Sequence, residues 1–236
     1  MPKLQLPNGT ILKYKSVPLF LGCKQIDKEI AARNLRDLKN FLSSHGVEFI
    51  LAYGTLLGAV REHDFISHDE DIDLMVDEKY REKFFNLLPE LRKIGFEVCR
   101  YDRRSLLSII KDGEYIDFYF FKPWRKGLYN SGGAVVLEEF VKETAPFEFK
   151  GEKYLAPKDY EKYLLSIYGP NWRTPIKFNN YNQPKYKIAL FKLKEHMKDA
   201  LPDMIYFHFA NKKVAEQQER ICNRLKKNLG MEIPEE

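Results

Sequence analysis

The stretch His68-Asp69-Glu70-Asp71-Ile72-Asp73-Leu74-Met75-Val76 decides how the chain is read. Four acids fall within positions 69–73, and from Asp71 onward the residues alternate. Side chains on a strand point to opposite faces in turn, so Ile72, Leu74 and Val76 form one face and Asp71, Asp73 and Met75 the other. The apolar face anchors the strand in a core, while both carboxylates aim into one space, roughly 6.5–7 Å apart along the strand. Like charges this close repel unless a cation or protons compensate. A ligand set made only of oxygens favours Mg2+ or Mn2+ over zinc. A calcium EF-hand loop fails, because Leu74 stands where Gly is required and Tyr80 where Glu is required. A glycosyltransferase-type DxD motif and a solvated acidic turn both remain compatible with the triplet alone.

The neighbouring segments narrow the choice. Val47 to Tyr53 reads as a buried strand, Gly54-Thr55 as a turn, and Leu56 to Arg61 as a short helix. Such a turn offers free backbone N–H groups and, at Gly54, room for a phosphate to approach. Gly54 reads equally as a simple turn and Thr55 as a helix cap. Arg61 either meets a phosphate or pairs with a nearby acid. No Gly-Lys-Ser/Thr follows, so this is not a P-loop, and it is not a dinucleotide fingerprint either. Further on, Tyr115-Ile116-Asp117-Phe118-Tyr119 sets an acid inside an aromatic strand. A buried Asp needs a partner; Asp117 either pairs with Lys or Arg, or completes a triad with Asp71 and Asp73.

The remaining pattern is mixed. Apolar residues at 26, 30, 31, 35, 38 and 42 predict a helix that His45-Gly46 ends. Asp77 caps a helix running to about Lys93. Phe96–Tyr101, Leu106–Lys111 and Tyr115–Phe121 read as strands, the last two joined by an Asp112-Gly113 hairpin turn. Short strands and loops fill Asn130–Ala156. Pro157 opens a helix that stops before Gly169. Pro184 to Gly230 is mainly helical, broken at Pro202. This order predicts an α+β domain around a mixed sheet.

Bulk properties fit a globular protein: 236 residues, 44% hydrophobic and 31% charged. Cys23, Cys99 and Cys222 stand apart without a CxxC, which argues against a disulfide framework or a cysteine zinc site and suits a reducing cytoplasm. The N-terminus lacks the apolar core of a signal peptide, and no run approaches a membrane span. The net charge of +5 is weighted toward residues 177–227, which suits a nucleic acid, an anionic membrane or an anionic substrate, or simply a solvated basic face.

Together, Gly54-Thr55-Leu56-Leu57-Gly58-Ala59-Val60-Arg61, Asp64-Phe65-Ile66 and Asp69-Glu70-Asp71-Ile72-Asp73-Leu74 resemble the LicD family. So do Ala156-Pro157, Tyr160, Tyr163-Leu164, Tyr168-Gly169, Trp172 and Thr174-Pro175, which look like its closing signature. The resemblance covers roughly residues 26 to 176. It implies a nucleotidyltransferase-like mixed sheet flanked by helices, with its core at about 26–176 of a catalytic domain taken as 1–176, and the helical pattern beyond makes 177–236 a helical C-terminal extension. It implies Mg2+ or Mn2+ held by Asp71, Asp73 and Asp117, with Asp117 as metal-bound general base, and Gly54, Thr55 and Arg61 at the nucleotide phosphates. The implied reaction moves a phosphoalcohol such as phosphocholine, or a phosphonate, from a CDP- or CMP-linked donor to a sugar hydroxyl of a glycan or glycolipid acceptor, as in lipopolysaccharide or capsule biosynthesis. The alternative is a true nucleotidyltransferase that places NMP and releases pyrophosphate.

Some positions stay open. Asp69 shares the strand parity of Asp71 and is a ligand or, the preferred reading, an exposed loop acid. His68 steers the leaving group or, again preferred, faces solvent. Tyr168 and Trp172 read as core aromatics. Ser67-His68 stands where the family has Pro-Trp, so the donor's identity does not transfer. A cytoplasmic enzyme is expected, touching an anionic membrane peripherally through its basic residues 181–227, with no nucleic-acid partner.

Overall fold

The computed structural model describes residues 1–17, 19, 24–176 and 201–232, with 184, 186, 189, 190, 193, 194 and 197 between them. Helix α1 (Lys28–Ser44) forms as its spacing dictates. The Asp27 carboxylate accepts the N–H groups of Glu29 and Ile30, and Ala31, Leu35, Leu38 and Leu42 are wholly buried. His45 caps its end, followed by Gly46 at φ 60°.

A small hairpin joins β1 (Lys3–Gln5) and β2 (Ile11–Lys13). The main sheet comprises β3 (Ile50–Leu51), β4 (Asp71–Asp77), β5 (Glu97–Asp102), β6 (Leu106–Lys111), β7 (Glu114–Arg125), β8 (Leu128–Ser131), β9 (Ala134–Leu137), β10 (Thr144–Phe149) and β11 (Glu152–Pro157). Its order is β10-β11-β3-β4-β7-β6-β5, with β8 and β9 continuing from the far end of β7. Strand β4 runs parallel to β7 and β11 parallel to β3, while the other pairs are antiparallel. The α+β class and the mixed sheet expected from the sequence are present. The register Ile72↔Ile116, Leu74↔Phe118 and Val76↔Phe120 gathers one apolar face. Phe84 closes it, with ring centroids 4.6 Å from Phe118 and 5.4 Å from Phe120.

Several boundaries differ from the expectation. Strand β3 keeps only two residues: Val47–Phe49 fall outside it, and helix α2 (Tyr53–Arg61) starts earlier than expected, taking Gly54 and Thr55 into its first turn. The sharp bend is made by Tyr53 at φ 41°, whose N–H donates to the Tyr163 hydroxyl (3.1 Å). Asp77 caps as expected, accepting from Lys79 N–H. The helix beyond it is broken into a 3-10 turn (Glu78–Tyr80), α3 (Arg81–Asn86) and α4 (Leu88–Lys93), with Pro89 in the first turn of α4. A four-residue helix α5 (Glu139–Lys142) follows β9. Pro157 closes β11 rather than opening a helix; α6 (Tyr160–Tyr168) begins at Asp159, which caps Lys162 N–H.

Most of the helix expected from Pro184 to Pro202 lies outside the described residues, as does Cys23. Helix α7 (Asp203–Leu229) follows Pro202 and ends at Gly230, φ 62°. It docks on the sheet domain through Gln218 to the Gly132 carbonyl (2.8 Å) and Asn228 to the Ser166 carbonyl (3.1 Å). Its Cys222 and Leu225 join the main core. Cys99 and Cys222 are free and buried. Among the described residues no helix is long and apolar enough to cross a membrane.

Candidate active site

The parallel pairing of β4 and β7 puts Asp73 directly beside Asp117. Asp71 lies one same-face step before Asp73, so three carboxylates meet, one oxygen from each within 4.8 Å of the others. Asp117 is only 2% exposed and the other two are half-buried. Burial, then mutual repulsion, pushes the carboxyls of Asp71 and Asp73 well above the usual carboxylate range. Among the described residues neither has an ion pair with Lys, Arg or His. An all-oxygen set, clustered and short of positive charge, fits a hard divalent cation such as Mg2+ or Mn2+.

Helix α2 holds the middle member. Gly54 N–H donates to Asp73 Oδ2 (3.3 Å), and Asp73 N–H donates to Thr55 Oγ1 (2.8 Å). A Tyr119 hydrogen bond also favours the ionised form of Asp73. Asp117 is held differently: Ser108 Oγ donates to its Oδ1 (2.5 Å) and Arg100 pairs with its Oδ2.

A cavity of about 410 Å³ opens beside the triad. Gly54, Arg61, His68, Asp69 and Asp73 line it, together with Tyr168 and Trp172 from the segment at and after the end of α6. A Cβ at Gly54 would strike the Asp69 carboxylate, so any side chain there would displace Asp69 from its place at the cavity. Arg61 donates to Glu62 (2.6 Å), and its Nε is buried without a hydrogen-bond partner among the described residues.

Residues 46–159 match the family model described as LicD/FKTN/FKRP, nucleotidyltransferase domain. The chain carries a LicD-family domain. Uncharacterized protein RT0683 of Rickettsia typhi is 23% identical over 137 residues, covering 58% of this chain and 40% of its own length. Uncharacterized protein RP689 of Rickettsia prowazekii is 26% identical over 153 residues, covering 64% of this chain and 53% of its own length. The chain thus spans about half the length of these relatives. Solved structures similar to it include lincosamide antibiotic adenylyltransferase LnuA with lincomycin bound, at 15% identity and TM-score 0.42, covering 68% of this chain and 93% of that one. Another is ANT(2'')-Ia in complex with adenylyl-2''-tobramycin, at 13% identity and TM-score 0.44, covering 82% and 97%.

Within the LicD domain, the triad and Gly54 lie together, and Arg61 faces the same cavity. Thr55 does not: it is 1% exposed, and its oxygen ties α2 to β4 instead of opening toward a phosphate. Asp69, expected as an exposed acid, is half-buried against the cavity, and burial raises its carboxyl. His68 is likewise half-buried and lines the cavity. Trp172 is buried as expected, but Tyr168, expected in the core, is 41% exposed at the cavity wall. Both aromatics lie past the matched end of the LicD domain. Arg100, Ser108 and Tyr119 were not singled out in the sequence. Ser108 carries the same signal as Asp117, a polar residue inside an apolar strand (Leu106-Leu107-Ser108-Ile109-Ile110).

Proposed function

We propose that the LicD domain transfers a phosphoalcohol such as phosphocholine, or a phosphonate group, from a CDP- or CMP-linked donor to a sugar hydroxyl of a cell-surface glycan or its precursor. The observation that carries this reading is the triad of Asp71, Asp73 and Asp117 within the residues that match the LicD family model, with Asp73 lining an adjoining cavity. The three carboxylates would hold Mg2+ or Mn2+, which, when bound, supplies neutralisation of the diphosphate and of the leaving nucleotide. Gly54, in the first turn of α2, lines the cavity, so the positive end of that helix favours an anion there. Arg61 adds a cationic wall for the donor phosphates. Tyr168 and Trp172 complete the lining of that cavity.

An ionised carboxylate offers about four lone-pair sites. Arg100 and Ser108 take two from Asp117, which leaves the others for metal and for the proton of the acceptor hydroxyl. The domain's description as a nucleotidyltransferase favours a second reading, NMP transfer with release of pyrophosphate. Phosphorus NMR of reactions with CDP-alcohols and nucleoside triphosphates separates the two. Metal-dependent CMP release from a CDP-alcohol supports the first; pyrophosphate as the sole product establishes the second.

The catalytic unit in this reading is residues 1–176, with α7 docked on it, in the cytoplasm and without a nucleic-acid partner. The lysines that the sequence carries between 181 and 227, together with the exposed Leu193, Met197 and Met204, suit peripheral contact with an anionic membrane face. Flotation with anionic but not neutral liposomes is expected, and absence from both counts against it.

A further inference from the structure

The triad has one built-in cation, and a β-bulge delivers it. Between β5 and β6 the register passes from Val98↔Ile109 to Arg100↔Ser108, leaving Cys99 as an extra residue. On a regular strand Cys99 would oppose Ser108 and Arg100 would point to the opposite face. The bulge instead aligns Arg100, Ser108 and Asp117 across three strands. Arg100 Nε donates to Ser108 Oγ (2.9 Å), Ser108 Oγ donates to Asp117 Oδ1 (2.5 Å), and an Arg100 Nη2 hydrogen bond to Asp117 Oδ2 closes the ring. Both Asp117 oxygens are thereby held, one of them within 4.8 Å of oxygens of Asp71 and Asp73. Cys99 stays on that same face and packs, fully buried, with Tyr115 and Leu19, so that the bulge places two successive side chains on one side of the strand.

We propose that Arg100 is a positioning residue that acts as the resident counter-cation of the triad: it orients Asp117 and offsets one of the three carboxylate charges. This rests on the reading of the triad as a metal centre. Three carboxylates would hold a divalent ion tightly in the free protein. With Arg100 in place the net charge is minus two, so one divalent ion balances the site, and the ion binds weakly until the donor's phosphates add ligands. Metal and donor therefore enter together.

The test is a titration of the metal-free full-length chain with Mn2+, without nucleotide, reading free ion by EPR. Wild type is expected to bind one ion per chain at the triad, and D73N to lose it. R100Q removes the charge beside a divalent ion and is expected to bind about tenfold more tightly, since the repulsion is appreciable even at the dielectric of water. R100K keeps the charge and is expected within threefold of wild type. Folded R100Q within threefold of wild type, or weaker, overturns the proposal, and so does R100K tightening as much as R100Q. Should R100Q fail to fold, R100K and S108A carry the test: both keep the charge and are expected within threefold of wild type, and a larger shift in either overturns the idea. A wild type that binds no Mn2+, or binds it equally well as D73N, removes the metal-centre reading itself and this proposal with it.

Discussion

The two ends of strand β4 both carry aspartates, and they are satisfied in opposite ways. At its end, Asp77 donates nothing to chemistry: it is buried, accepts Lys79 N–H as a cap, and accepts a hydrogen bond from Lys142 Nζ (2.6 Å). At its start, Asp71 and Asp73 have no cation of their own among the described residues, and burial and repulsion raise their carboxyls. The same residue type on the same strand is structural where the fold supplies its partner and, in the function proposed above, a metal ligand where the fold withholds it. Asp117 stands between these cases, partnered by Arg100 yet facing the open triad.

Substitutions should pull the two ends apart. The largest effect is expected for D73N or D71N. Each removes a ligand worth several kcal/mol of transition-state charge stabilisation, so donor turnover should fall by about 10³-fold or more. Metal-free thermal stability should rise, because a repelling buried charge is gone; D73N that turns over like wild type breaks the comparison. D77A should do the reverse, costing about 1 kcal/mol or somewhat more through the lost cap and the unpaired Lys142, with turnover unchanged. Denaturant melts and steady-state rates check both halves.

A subtler effect lies in pH. The metal-free folded state holds protons on Asp71 and Asp73 at pH values where the unfolded chain has released them. The stability from this source is therefore full below the ordinary carboxylate range and is lost as pH rises toward the raised values. The melting-temperature advantage of D73N over wild type should widen with pH without metal and shrink with Mg2+. An advantage independent of pH would contradict it. The smallest effect is expected from Y168A at the cavity wall: KM for the donor should rise about three- to tenfold with little change in kcat.

How far the sequence could be read follows from where each partner sits. Asp71 and Asp73 were legible because strand alternation is local, and the apolar positions between them left one face for the carboxylates. Asp117 had two readings, an Arg pair or a third triad member, and it is both. Arg100 was illegible because a bulge at Cys99 sets its facing, and that register depends on β6. The burial of Asp69 and His68 was illegible for a similar reason: the cavity they line is shared with Tyr168 and Trp172, about a hundred residues away in sequence. Helix α2 began early because Tyr163, from α6, accepts the Tyr53 N–H. Local pattern places a residue on a face; partners from distant elements decide what that face meets.

The central claim is that the start of β4 is a metal centre and its end is not. Anomalous diffraction from crystals of the full chain soaked in Mn2+ tests it directly. The account predicts a peak at about 2.0–2.2 Å from oxygens of Asp71 and Asp73, shared with Asp117, and none at Asp77. A Mn2+ peak elsewhere in the molecule with the triad empty would contradict it.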